Sequence, residues 1–171
     1  MRMNIKRLVM LMVLVVPVAM IAQVRIATVD VQSIFEAMPE TKAATDVLNA
    51  LSEQLHNEYA MMQQEFNGKY AAYQALAASD TPATIRDRRV REIQDGNREI
   101  EDFLAASQES LAKKKKELEA PIYAKINEAI KQVGDSGGYT YIFDVSAMPV
   151  VYAGAGAVDL TTAVKKWLGL E

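Results

Sequence analysis

Apolar residues recur at three- and four-residue spacing in two long runs separated by a single break. The first run is Leu48, Leu51, Leu55, Tyr59, Met62, Phe66, Tyr70, Tyr73 and Leu76; the second is Val90, Ile93, Ile100, Leu104, Leu111 and Leu118. That period predicts two amphipathic helices of coiled-coil type. Between them Ala78-Ser79-Asp80-Thr81-Pro82 breaks the pattern with turn-forming Asp, Ser and Pro. The outgoing helix is predicted from about Glu40 to Ala78. The return helix is predicted from near Pro82, a good first-turn residue, to Gly134, where a left-handed cap is easy. Each arm would reach on the order of 55–75 Å.

The seam of the return helix is poor. A 3-4 alternation through Val90, Ile93, Asn97, Ile100, Leu104, Ser107, Leu111, Lys114 and Leu118 places three polar residues among nine. Asn at such a position fixes register at a cost in stability, and a lysine there must snorkel outward. The arms are therefore expected to hold together loosely. Pro121 interrupts the return helix and predicts a kink. Beyond it Ile122, Ile126, Ile130 and Val133 form a more apolar stripe that suits a true core.

Outside the arms the pattern changes to short strands. Val24 to Val29 is rich in β-branched residues, as are Tyr139 to Asp144 and Val150 to Tyr152, so three strands are expected. Asp30 can cap a short helix over Val31 to Met38, and Asp159 another carrying Leu160, Val164, Trp167 and Leu168. The fold class is α+β: a small β-sheet body interrupted by a long antiparallel helical hairpin. Residues 23–40 and 120–171 form the body, and 41–119 the hairpin. Three short strands leave open edges and an uncovered apolar face, which self-association would cover.

The first residues change the picture of location. Arg2, Lys6 and Arg7 precede fourteen apolar residues from Leu8 to Ile21, and Ala22 offers a small residue for cleavage. This reads as a cleavable signal peptide over residues 1–22, too short to span a bilayer comfortably, and it implies export from the cytoplasm. Without it the chain carries 16 Lys and Arg against 22 Asp and Glu. That acidic balance disfavours a nucleic-acid role. The absence of cysteine excludes disulfides and thiolate metal sites.

Candidate catalytic groups are sparse. Asp30 and Asp144 both follow or end strands and could pair as carboxylates, but capping the next element explains them better. Gly154-Ala155-Gly156-Ala157 lacks the third glycine of a dinucleotide fingerprint, since Asp159 stands there. His56 is the only histidine and has no evident partners for metal ligation or a triad. No enzyme activity, cofactor or metal is expected.

Three ordered segments carry a family resemblance. They are Arg25-Ile26-Ala27-Thr28-Val29-Asp30 followed by Ile34-Phe35, Pro121 to Ile130, and Gly138-Tyr139-Thr140-Tyr141-Ile142-Phe143-Asp144, with Asp159-Leu160-Thr161 closing the series. Together they resemble the Skp/OmpH family of periplasmic chaperones over the whole exported part. The resemblance implies a homotrimer whose strands form a central body and whose hairpins project as tentacles around a cavity. It implies an ATP-independent holdase for unfolded outer-membrane β-barrel proteins. Basic tentacles suited to anionic lipid are not carried over, because residues 60–105 hold six basic and eight acidic side chains. Arg86 to Arg91 and Lys113 to Lys116 are local basic patches, best read as solvated faces with i,i+4 partners.

Two residue sets follow. Tyr59, Met61, Met62, Phe66, Tyr70 and Tyr73 exceed what one seam needs, so part of this set is expected to face clients through adaptable Met and Tyr contacts. Such binding should lean on apolar contact and depend weakly on salt. Ile26, Val29, Tyr141, Phe143, Val151 and Trp167 are expected in the trimer body. The alternative is a structural coiled-coil envelope protein without chaperone activity.

Overall fold

The computed structural model describes residues 24–77 and 80–170; the signal-peptide reading of residues 1–22 lies outside the described residues. The elements run β1 (Ile26–Val29), α1 (Val31–Ala37), α2 (Pro39–Ala77), α3 (Ala83–Gly137), β2 (Tyr141–Asp144) and α4 (Thr161–Trp167). The chain is mostly helical with one small pair of strands. Among the described residues no helix is long and apolar enough to cross a membrane.

β1 and β2 pair in parallel, with Ile26 opposite Tyr141 and Val29 opposite Asp144. Parallel neighbours need a crossover, and here it comprises α1, α2 and α3. Alternation along β1 turns Ala27 and Val29 into the core and leaves Ile26 outside.

The expected third strand at Val150–Tyr152 does not form: that stretch is irregular, and Val151 is 97% exposed. The free side of β1 is taken instead by the segment before α4. Thr28 N–H donates to Val158 O at 2.9 Å, and Leu160 N–H donates to Thr28 O at 2.8 Å. A β-prone sequence becomes a strand only where an edge is open to it, and Pro149 removes a donor just before this one.

Local signals fix the helix ends. Asp30 caps α1, its Oδ1 accepting from Ser33 N–H at 2.8 Å. The return helix α3 runs unbroken through Pro121 and ends one turn later than Gly134. Gly138 closes it at φ 63°, a left-handed conformation that glycine adopts without steric cost, and Tyr139 N–H donates to Gly134 O at 3.0 Å. Gly134 has a different task. A Cβ there would lie 2.8 Å from Ile142 Cδ1, so its bareness lets β2 approach the helix.

The core sits where both arms meet the body. Val29, Ile34, Ile126 and Val164 are the largest fully buried side chains, one each from β1, α1, α3 and α4. Ala27, Phe35, Met38, Ala44, Ile122, Ala129 and Leu160 complete the cluster. Each large aliphatic side chain buried here contributes about 1.5–3 kcal/mol. Glu40 and Lys125 bridge the two arms at this root, and the Lys125 hydrogen bond holds the Glu40 carboxyl below its usual range.

Candidate functional site

At about 1.5 Å per residue, the 39 residues of α2 and 55 of α3 span roughly 58 and 82 Å. Their contacts run in opposite chain order. Glu40 meets Lys125 at the root, and Leu55 and Tyr59 share a groove with Phe103 and Leu111 midway. Further out, Phe66 packs over Gly96, where a Cβ would lie 3.3 Å from the ring.

The α3 seam differs by one residue from the sequence expectation at two places. Gly96 and Phe103 face α2, whereas Asn97 and Leu104 are exposed. Asn97 therefore does not set register; its amide donates to Glu101 Oε1 at 2.7 Å on the outer face. The physical reason is Phe66, whose bulk requires a bare partner in α3, and Gly96 supplies it. Ser107 and Lys114 do occupy the seam half-buried, and Lys114 reaches out to Glu117 at 3.8 Å.

The six residues singled out on α2 divide. Tyr59, Met62, Phe66 and Tyr73 are half-buried along the seam, while Met61 and Tyr70 are 58% and 45% exposed. Leu104, which the period had assigned to the seam, joins the exposed pair from the other helix at 39%. Only a view of both helices could reveal this, since Phe103 and Leu104 fit the spacing equally well.

The body presents a second apolar surface. Ile26, Tyr141 and Phe143 lie on the outward face of the two strands, and the rings of Tyr141 and Phe143 stack with centroids 6.2 Å apart. Trp167 on α4 and Val151 in the loop are exposed as well. Val29 is different: it is buried in the chain's own core and offers no side chain to a partner. The rest of the body set thus shares a surface property, and Val29 does not.

The paired-carboxylate residues act as caps. Asp144 Oδ1 accepts from Ser146 Oγ at 2.6 Å, Ser146 N–H at 2.9 Å and Val31 N–H at 3.3 Å, tying the end of β2 to the start of α1. Burial pushes this carboxyl up, but the Ser146, Val31 and Ala147 hydrogen bonds outweigh it and hold the group below its ordinary range. A depressed folded-state pKa gives stability that is present above the unfolded value, near 3.9, and lost as pH falls through the folded one. Asp144→Ala is expected to cost about 1–2 kcal/mol at neutral pH. The difference between variant and parent in urea denaturation should shrink as pH falls below the ordinary carboxylate range.

Comparison with known proteins follows this architecture from end to end. Residues 25–168 match the family described as Outer membrane protein (OmpH-like). The chain is 25% identical over 142 residues to Chaperone protein Skp of Pectobacterium atrosepticum, covering 83% of this chain and 84% of that protein. A crystal structure from Caulobacter crescentus, of a protein assigned to the OmpH-like outer membrane chaperones, matches with a TM-score of 0.68 at 16% identity. It covers 85% of this chain and 82% of that one, a likeness of fold. Because the family match runs from β1 through both arms to α4, this chain belongs to the OmpH-like outer membrane protein family.

Proposed function

We propose that this protein is an ATP-independent holdase that keeps unfolded outer-membrane β-barrel proteins from aggregating in the periplasm. In this reading residues 1–22 direct export, the body gathers three copies through its open sheet face, and each hairpin works as an antiparallel coiled-coil arm. The observation that carries the reading is the placement of apolar surface. The compact core lies at the root, while Met61, Tyr70 and Leu104 stand exposed along the arms, away from it. Exposed Met and Tyr make sequence-tolerant contacts, as binding many unrelated clients requires. The Skp relative is named a chaperone, which agrees.

A structural coiled coil is the second reading, favoured by the fact that four of the six aromatic and Met positions serve the seam. The two readings separate in an aggregation assay with an unfolded outer-membrane β-barrel protein and no nucleotide. The parent protein is expected to suppress light scattering at about one trimer per client. Replacing Met61, Tyr70 and Leu104 by Ser should weaken suppression about tenfold, corresponding to about 1.4 kcal/mol. Arg88→Ser with Arg89→Ser should change it much less. An intact assembly that never suppresses aggregation would establish the structural reading.

A further inference from the structure

The charges of the arms are banded along their length. Residues 53–69 and 92–109, facing each other midway, carry nine carboxylates against Lys69 and Arg98. Toward the tip, Arg88 and Arg89 lie within 4 Å of Glu92, and toward the root, Lys114 and Lys115 pair with Glu117 and Glu119. Midway the carboxylates outnumber their partners. Among the described residues, Glu53, Glu58, Glu101, Asp102 and Glu109 are exposed with no cation within 4 Å.

At the same level the seam opens into a mostly apolar groove of about 220 Å³ lined by Leu55, Tyr59, Phe103, Leu104 and Leu111, with the polar Ser52, His56 and Gln108 beside them. Ser107, also lining it, has a hydroxyl shielded from solvent and without a hydrogen-bond partner. A groove of this kind offers apolar contact within a surrounding negative potential. Two helices side by side are only about 20 Å across. Unpaired carboxylates on either flank therefore lie within one or two Debye lengths of the groove mouth at physiological salt.

We propose that the middle of each arm selects cationic, apolar-rich stretches of unfolded polypeptide: Leu, Tyr or Phe side chains enter the groove while neighbouring Lys and Arg meet the carboxylate band. The proposal rests on the client-holding reading above and adds a charge preference to it. Apolar burial carries affinity, which is why a client without net charge should bind with little salt dependence. The band acts on the choice among clients, because it attracts one sign of charge and repels the other.

The test uses the exported form of the full chain and three short fluorescent peptides sharing the same Leu, Tyr and Val positions, with Lys, Ser or Glu at the remainder. At low salt the Lys peptide is expected to bind about tenfold tighter than the Glu peptide. At about 1 M salt, where the screening length falls to about 3 Å, the two should agree within about twofold. The combined variant Glu53→Gln, Glu58→Gln, Glu101→Gln, Asp102→Asn, Glu109→Gln should abolish the preference and leave the Ser peptide's affinity unchanged. Equal or tighter binding of the Glu peptide at low salt would overturn the proposal, as would a preference that survives in the variant. Release of the Lys peptide by self-association of the arms would overturn it too, since the occupant would then be a second copy's Arg86–Arg91 tip. If barrel-protein suppression persists while the peptides fail to sort by charge, the carboxylate band alone loses its assignment. If suppression is absent as well, the holdase reading falls with it.

Discussion

Ile126→Ala is expected to destabilise the protein by about 2–5 kcal/mol, enough to remove most of its folded population at moderate urea. Ile126 is fully buried on α3 within the cluster that draws on β1 and all four helices. Truncation removes several methylene-sized groups and leaves a cavity within a cluster to which separate elements contribute. Of these, β1, α1 and α4 are short pieces held mainly by this cluster, so their collapse around the cavity would disturb one another. The matched control is Leu104→Ala on the exposed side of an arm, expected within about 0.5 kcal/mol of the parent. Equilibrium urea denaturation followed by circular dichroism reads both. A loss below about 1 kcal/mol for Ile126→Ala would mean that stability resides in the arms and not at their root.

The second large effect concerns assembly. Ile26→Lys combined with Phe143→Lys is expected to convert the proposed trimer to monomer at micromolar concentration, read by light scattering after gel filtration. Both side chains project from the outward sheet face, away from the chain's own core. Substitution there should leave the fold of one copy intact, while burying two unpaired charges at a contact between copies costs several kcal/mol. Helical circular dichroism at low temperature should stay near the parent value. A parent protein that is already monomeric would dispose of the trimer, and a variant that stays trimeric would move the contact elsewhere.

The arms were legible in the sequence because periodicity and caps are local. The outgoing helix, expected over Glu40 to Ala78, spans Pro39–Ala77, and the return helix begins at Ala83 behind Pro82. What the sequence concealed depends on partners. The choice of Gly96 over Asn97 turns on the Phe66 ring in the other helix. The Gly134 cap gave way to Gly138 because Gly134 is needed for Ile142's approach. The strand at Val150–Tyr152 failed because residues 158–160 already occupy the edge of β1. The division of the Met and Tyr set between seam and surface was visible only as an excess, since one helix does not say how wide its partner is.

The parallel pairing of β1 with β2 also bears on the order in which the molecule is made. Arg25, just before β1, reaches Gly137 across 112 residues of intervening chain. Closing a loop of that length is entropically slow, whereas the adjoining ends of α2 and α3 are only a few residues apart in sequence and meet quickly. Zipping should therefore begin at the tip and travel toward the root. In a chain delivered N-terminus first, β1 waits with an open edge until nearly all of the protein has arrived. The base, where the proposed trimer would form, is the last part to exist, and the arms take shape before there is anything to hold them in place.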